Sequence, residues 1–225
     1  MIVHPVTQAT TVHISASLGT RTVSGSQTLL PPFDDTTTMT ITPEFSGDVY
    51  GPDYSRDYSI QLSNPAPNAG LTVDLKVRDG NPAITLDSAS AFISGGFVQG
   101  SFRIQAAEVT QTTHAVVDAT AGGVTTSIAV TIQPRVTAVT IPATVKGGDS
   151  FQGTVTLAGP SDSDTQVSLQ QSWGIVDIPY LVVIPAGQTS VTFTGTTVPV
   201  DSDSTVTITA YLGQISADAE ITLTP

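Results

Sequence analysis

Residues 205–213 read Thr205-Val206-Thr207-Ile208-Thr209-Ala210-Tyr211-Leu212-Gly213. Apolar and polar side chains alternate with a period of two and the run ends on glycine, the pattern of a strand with one buried face. The same alternation recurs at Val73-Asp74-Leu75-Lys76-Val77, Ile128-Ala129-Val130-Thr131-Ile132 and Val191-Thr192-Phe193. No stretch of a dozen residues repeats its apolar positions at the helical period. Short strands spaced by Gly, Pro, Asn and Asp predict an all-β chain built as an antiparallel sandwich or barrel.

The opening stretch also has a counterpart upstream. Residues 93–134 resemble residues 184–225 position by position. Ile93 falls on Ile184, Gly96 on Gly187, Val117 on Ile208, Ala119 on Ala210, Gly122 on Gly213 and Pro134 on Pro225. With a slightly larger shift, Ile60 and Leu62 fall on Val155 and Leu157, and Val73 and Leu75 on Val167 and Leu169. Core residues meet core residues and turn residues meet turn residues, which is the signature of a duplicated unit. The expected organisation is an N-terminal arm over 1–35, a first domain over 36–134 with an extended loop at 46–58, and a second domain over 135–225. The joint at Gln133-Pro134-Arg135-Val136 is short, which predicts a stiff, extended pair.

Composition narrows the function classes. The chain carries 7 Lys+Arg against 19 Asp+Glu, a net charge of −12, and no cysteine. Nucleic acid and anionic membranes repel such a surface, because both are held by basic side chains. Disulfides, thiolate catalysis and zinc–cysteine sites are excluded. No apolar run reaches the length of a spanning helix. Hydrophobic residues at 39% still suffice for a core, so the acid excess does not mean disorder.

The second domain resembles a bacterial immunoglobulin-like module, a seven-strand sandwich found in tandem in cell-surface and phage structural proteins. The resemblance rests on Val145-Lys146-Gly147-Gly148, Gly153-Thr154-Val155-Thr156-Leu157, Ile184-Pro185-Ala186-Gly187-Gln188-Thr189-Ser190-Val191-Thr192-Phe193-Thr194 and the closing 205–213 stretch. The first domain resembles a divergent copy, with Gly95-Gly96-Phe97-Val98-Gln99-Gly100 replacing the Pro-Ala-Gly turn. The resemblance implies two tandem immunoglobulin-like antiparallel β-sandwiches with an N-terminal arm. It also implies a role in display, spacing or adhesion rather than catalysis.

The arm has no counterpart in the repeat. Val12-His13-Ile14-Ser15-Ala16-Ser17-Leu18 predicts one strand; Thr20 to Thr28 is polar and reads as flexible; Leu29-Leu30-Pro31-Pro32-Phe33 is an apolar knot. A single strand is not stable by itself, so it is expected to pair with an edge of its own domain or of another chain. Val12, Ile14, Leu18, Leu29, Leu30 and Phe33 are the expected anchoring residues. Residues 1–30 lack the charged and apolar regions of a secretory signal. That pattern suits a virion protein that leaves its host by lysis, or a piece cut from a longer chain.

Loop residues supply the remaining candidates. Tyr50 and Tyr54 lie in Gly47-Asp48-Val49-Tyr50-Gly51-Pro52-Asp53-Tyr54, where phenols can contact sugars or protein. Tyr58 is expected to enter the core. Asp162, Asp164, Asp201 and Asp203 form two Asp-Ser-Asp clusters that offer calcium some of its oxygens, but the plain reading is turns between strands. Phe92, Phe97 and Phe102 fall near other loops; core packing is the default expectation, with exposure of at least one left open, and the immunoglobulin-like resemblance implies a core place for Trp173. His114 and Asp118 share one face of a strand, too little for a catalytic triad. Glu44, Glu108 and Glu220 are too scattered to suggest a glycosidase pair. No cofactor and no catalytic residue is expected.

The expected function is a non-enzymatic virion surface protein, such as a head decoration anchored through the arm, with capsid proteins and copies of itself as partners. The alternative is a secreted bacterial adhesin or surface-layer fragment whose modules bind protein or cell-surface glycans.

Overall fold

The structure, a computed structural model, describes residues 6, 10–29, 33, 37–45, 48–52 and 55–225. Among these, β1 (Thr10–Leu18) and β2 (Arg21–Leu29) form a two-stranded hairpin. The first module contains β3 (Met39–Pro43), β4 (Val49–Tyr50), β5 (Ser55–Leu62), β6 (Leu71–Val77), β7 (Ile84–Leu86), β8 (Ser90–Ile93), β9 (Gln99–Ala106), β10 (Thr113–Ala121) and β11 (Val124–Gln133). The second contains β12 (Val136–Thr140), β13 (Thr144–Lys146), β14 (Ser150–Leu157), β15 (Thr165–Gln171), β16 (Val176–Asp177), β17 (Leu181–Ile184), β18 (Ser190–Thr197), β19 (Ser204–Leu212) and β20 (Ile215–Thr224).

The duplication read from the sequence is complete at the level of topology. In the first module β3-β5-β9-β7 faces β4-β11-β10-β6-β8; in the second, β12-β14-β18-β16 faces β13-β20-β19-β15-β17. Strand for strand the two orders are the same, and they are the order of an immunoglobulin-like sandwich. The molecule is therefore two tandem immunoglobulin-like β-sandwiches. In each, a short strand near the start pairs in parallel with the last: β4 with β11 and β13 with β20. The expected 46–58 loop thus contains β4, the counterpart of β13, and β5 already begins at Ser55.

Period-two alternation decides which side chains fill each core. Val206, Ile208 and Ala210 of β19 point inward and are fully buried, and the threonines between them face out. Ile60, Val73, Ile93, Ile104, Val117 and Ile132 do the same in the first module. Burying a side chain of this size contributes roughly 1.5–3 kcal/mol. Tyr58 is buried and stacks on Phe102, with ring centroids 5.5 Å apart.

Three expectations are corrected. Residues 21–28 are not a flexible tether but strand β2, paired with β1 in full register from Leu18↔Arg21 to Thr10↔Leu29. The arm's strand therefore pairs with its neighbour in sequence, rather than with a domain edge. A tight turn at Gly19, φ +61°, permits this. Phe92 and Phe97 are exposed, at 62% and 65%, because β8 is an edge strand on which Phe92 faces outward and Phe97 lies in the turn beyond. Trp173 is 67% exposed, because β15 ends at Gln171 and the chain has already turned into a loop.

Candidate functional site

The hairpin register sorts its side chains onto two faces. Thr11↔Thr28, His13↔Ser26, Ser15↔Ser24 and Ser17↔Thr22 form one, entirely polar. The other carries Val12, Ile14, Ala16 and Leu18 from β1 with Val23 and Leu29 from β2, interrupted by Gln27 and Gly25 and bounded by Thr10 and Arg21. The apolar face is largely bare: Ile14 is 47%, Val23 76% and Leu18 88% exposed, while Val12 and Leu29 are half-buried. Hydroxyls reinforce the polar face, with Ser17 Oγ and Thr22 Oγ1 2.8 Å apart. An isolated hairpin is marginally stable in water, and bare strand edges invite a further strand. Among the described residues no third strand joins this sheet.

The base of the hairpin is tied to the outer end of the first module. Asn68 Nδ2 donates to the Thr28 carbonyl at 3.3 Å. Phe33 packs on the first core, its ring filling the space where a side chain on Gly122 would stand. Phe33 is thus committed to its own module and is not free to anchor elsewhere. Leu30 and Tyr54 lie outside the described residues.

The opposite end of the first module meets the second through a joint centred on Gln133, which is 3% exposed. Its Nε2 donates to Asp48 Oδ2 at 3.1 Å, and its Oε1 accepts from Thr112 Oγ1 at 2.5 Å and Ser161 Oγ at 3.0 Å. Thr112 Oγ1 in turn accepts from the Asp162 backbone N–H at 3.0 Å. Arg135 Nε donates to Glu108 Oε1 at 3.0 Å, and the Arg135 carbonyl accepts from the Ala158 N–H at 2.9 Å. Gly159 lies so close to Thr110 that a Cβ there would stand 1.7 Å from the Thr110 carbonyl oxygen. Tyr50, expected on an exposed contact loop, is instead half-buried against the second core and lies over Gly213. The sequence places the joint at these residues, but the central role of Gln133 was not legible, because a glutamine at a strand end carries no mark of burial.

The first acidic cluster makes contacts within the chain. Asp164 Oδ1 accepts from the Ala186 N–H at 2.9 Å, closing a turn, and Asp162 Oδ2 lies 3.5 Å from His114 Nε2 across the joint. Asp201 and Asp203 are exposed on the turn before β19. Among the described residues no group of three or more His, Asp or Glu side chains converges as a metal ion would need. Asp118 does not join His114; it pairs with Arg78, whose Nε donates to Oδ2 at 3.0 Å, and accepts from Ser127 Oγ at 2.6 Å. Those hydrogen bonds, the Arg78 one foremost, hold its carboxyl below the usual range. The Arg103 hydrogen bond does the same for Asp57.

No protein-family model matches the chain, and no curated protein matches it. Solved structures do resemble it. The D00-D0 fragment of intimin matches at 12% identity and a TM-score of 0.34, over 84% of this chain and 100% of that one. Invasin, a bacterial integrin-binding protein, matches at 16% identity and 0.39, over 97% of this chain and 46% of that one. The I67-I69 fragment of titin matches at 11% identity and 0.41, over 84% and 65%. The chain thus spans less than half of invasin. At these identities and TM-scores the likeness transfers no residue role.

Proposed function

We propose that this chain is a non-enzymatic display protein that attaches to a phage or bacterial surface through its N-terminal hairpin and holds two locked modules outward. The observation that carries the reading is the amphipathic hairpin, whose apolar face is uncovered at the end of the molecule away from the second module. Such a face is completed by strand addition or by packing against a neighbouring protein. The net charge of −12 suits an exterior position away from packaged nucleic acid.

The virion exterior is the first setting, with capsid proteins and further copies of this chain as partners. A bacterial cell surface is the second, favoured by the exposed Trp173 and Tyr180 at the free end. Immunogold labelling of virions and cells that carry the native gene separates the two. The full chain with Val12→Asp and Ile14→Asp should bind whichever surface is labelled at least about tenfold more weakly, since charge on an apolar contact removes most of its affinity. Its melting temperature should hold, because both residues lie outside the two cores. Attachment equal to the unmodified chain would sink the anchoring role.

A further inference from the structure

The second module differs from the first at the end of the molecule opposite the hairpin. Loops at 159–162 and Gly213 lie at the joint, so β15 runs away from it, from Thr165 to Gln171. Equivalent positions in the two modules are fixed by a shared backbone hydrogen bond. Leu75 N donates to the Ala89 carbonyl and Leu169 N to the Tyr180 carbonyl, both at 2.8 Å. Tyr180 therefore stands where the first module has Ala89, Gln171 where it has Val77, and Trp173 where it has Asp79. A small residue, an aliphatic one and a carboxylate have been exchanged for a phenol, an amide and an indole.

Two of these exchanges, Gln171 and Tyr180, line a depression of about 320 Å³ together with Leu169, Val176, Asp177 and Ile178. Tyr180 is 71% exposed beside it. Gln171 Oε1 is buried, yet it has no hydrogen-bond partner among the described residues. Buried acceptors are nearly always satisfied, so an orphan one facing a depression calls for a donor from outside. The loop beyond is pinned at several points. Thr207 N donates to Ser172 Oγ at 3.0 Å, Ile175 N to the Trp173 carbonyl at 2.8 Å and Val198 N to the Ile175 carbonyl at 3.1 Å. A platform fixed before its ligand arrives loses little ordering entropy on binding.

We infer that this tip is a binding site for a neutral or N-acetylated oligosaccharide, with Tyr180 stacking on a sugar ring and Gln171 Oε1 and Asp177 accepting from hydroxyls. An aromatic face with a few placed hydrogen-bonding groups is what a sugar needs, having apolar C–H faces and polar edges. Asp177 and the overall charge of −12 select against acidic sugars. The site is independent of the hairpin, so the two readings fail separately.

The test uses the full chain on a printed array of neutral and N-acetylated oligosaccharides. Hits are then titrated while following the emission of Trp173, the only tryptophan. Saturable binding is expected, weakened at least about tenfold by Tyr180→Ala. Gln171→Leu should weaken it comparably while leaving the melting temperature unchanged or higher, since it removes an orphan acceptor. A purely structural Gln171 would alter stability and leave binding intact. The Val12→Asp, Ile14→Asp chain should bind as the unmodified one does. A blank array, or hits indifferent to both tip variants, would overturn the assignment. So would a tip that instead captures an extended peptide on the free β17 edge, where Leu181 and Val183 are exposed.

Discussion

Gln133 shows how much one neutral side chain can organise. Its amide joins Asp48 and Thr112 of the first module to Ser161 of the second. Gln133→Ala leaves those partners without it in a buried setting and should cost about 2–4 kcal/mol in urea unfolding, at about 1–3 kcal/mol per stranded group with partial relaxation. Exposed ion pairs act differently. Asp57 and Asp118 have carboxyls lowered by Arg103 and Arg78, so their contribution is present above their unfolded values, near pH 4. It is lost as pH falls through the depressed folded values. Melting midpoints measured from pH 6 to 2 should drop below pH 4, and Asp118→Asn should flatten that drop. None of these partnerships was legible beforehand, because each joins residues distant in sequence.

Strands of the two sandwiches declared themselves by alternation, since one face of each had to be apolar to build a core. Val206, Ile208 and Ala210 were readable for that reason, and Ile208→Ala should cost about 2–5 kcal/mol in the same unfolding experiment. Strand β2 was not readable. Its inward-equivalent positions hold Arg21, Val23, Gly25, Gln27 and Leu29, too broken a stripe to signal a buried face. The hairpin buries almost nothing within its own chain, so the usual sequence signature is weak where the interaction surface is. Trp173 and Phe92 failed as core assignments for the converse reason. Aromatic residues near strand ends look alike in sequence whether they turn in or out, and here the edge strand and the loop turn them out.

For the molecule as a whole, the internal repeat was the strongest sequence signal, because duplicated cores must keep their apolar spacing. The direction of stacking was hidden. Tyr50, Thr112 and Gln133 from one end of the first module meet Gly213, Asp162 and Ser161 from the other end of the second. The joint's close approach at Gly159 gives a direct test. Gly159→Val places a side chain into the Thr110 carbonyl and should unseat the joint without entering either core. Small-angle scattering should then show a broader range of particle lengths, and calorimetry should resolve two transitions. A single transition at an unchanged maximum dimension would mean the joint tolerates the insertion.

The parallel pairings β4–β11 and β13–β20 have a mechanical meaning if the hairpin is fixed and the far end is pulled. In each, a strand near the start of the module lies beside its last strand and runs in the same direction, with Thr144↔Thr222, Val145↔Leu223 and Lys146↔Thr224 in register. Tension drags such neighbours past each other lengthwise, so their hydrogen bonds are loaded together instead of one at a time. Force applied along the chain therefore meets a clasp in each module, not a zipper.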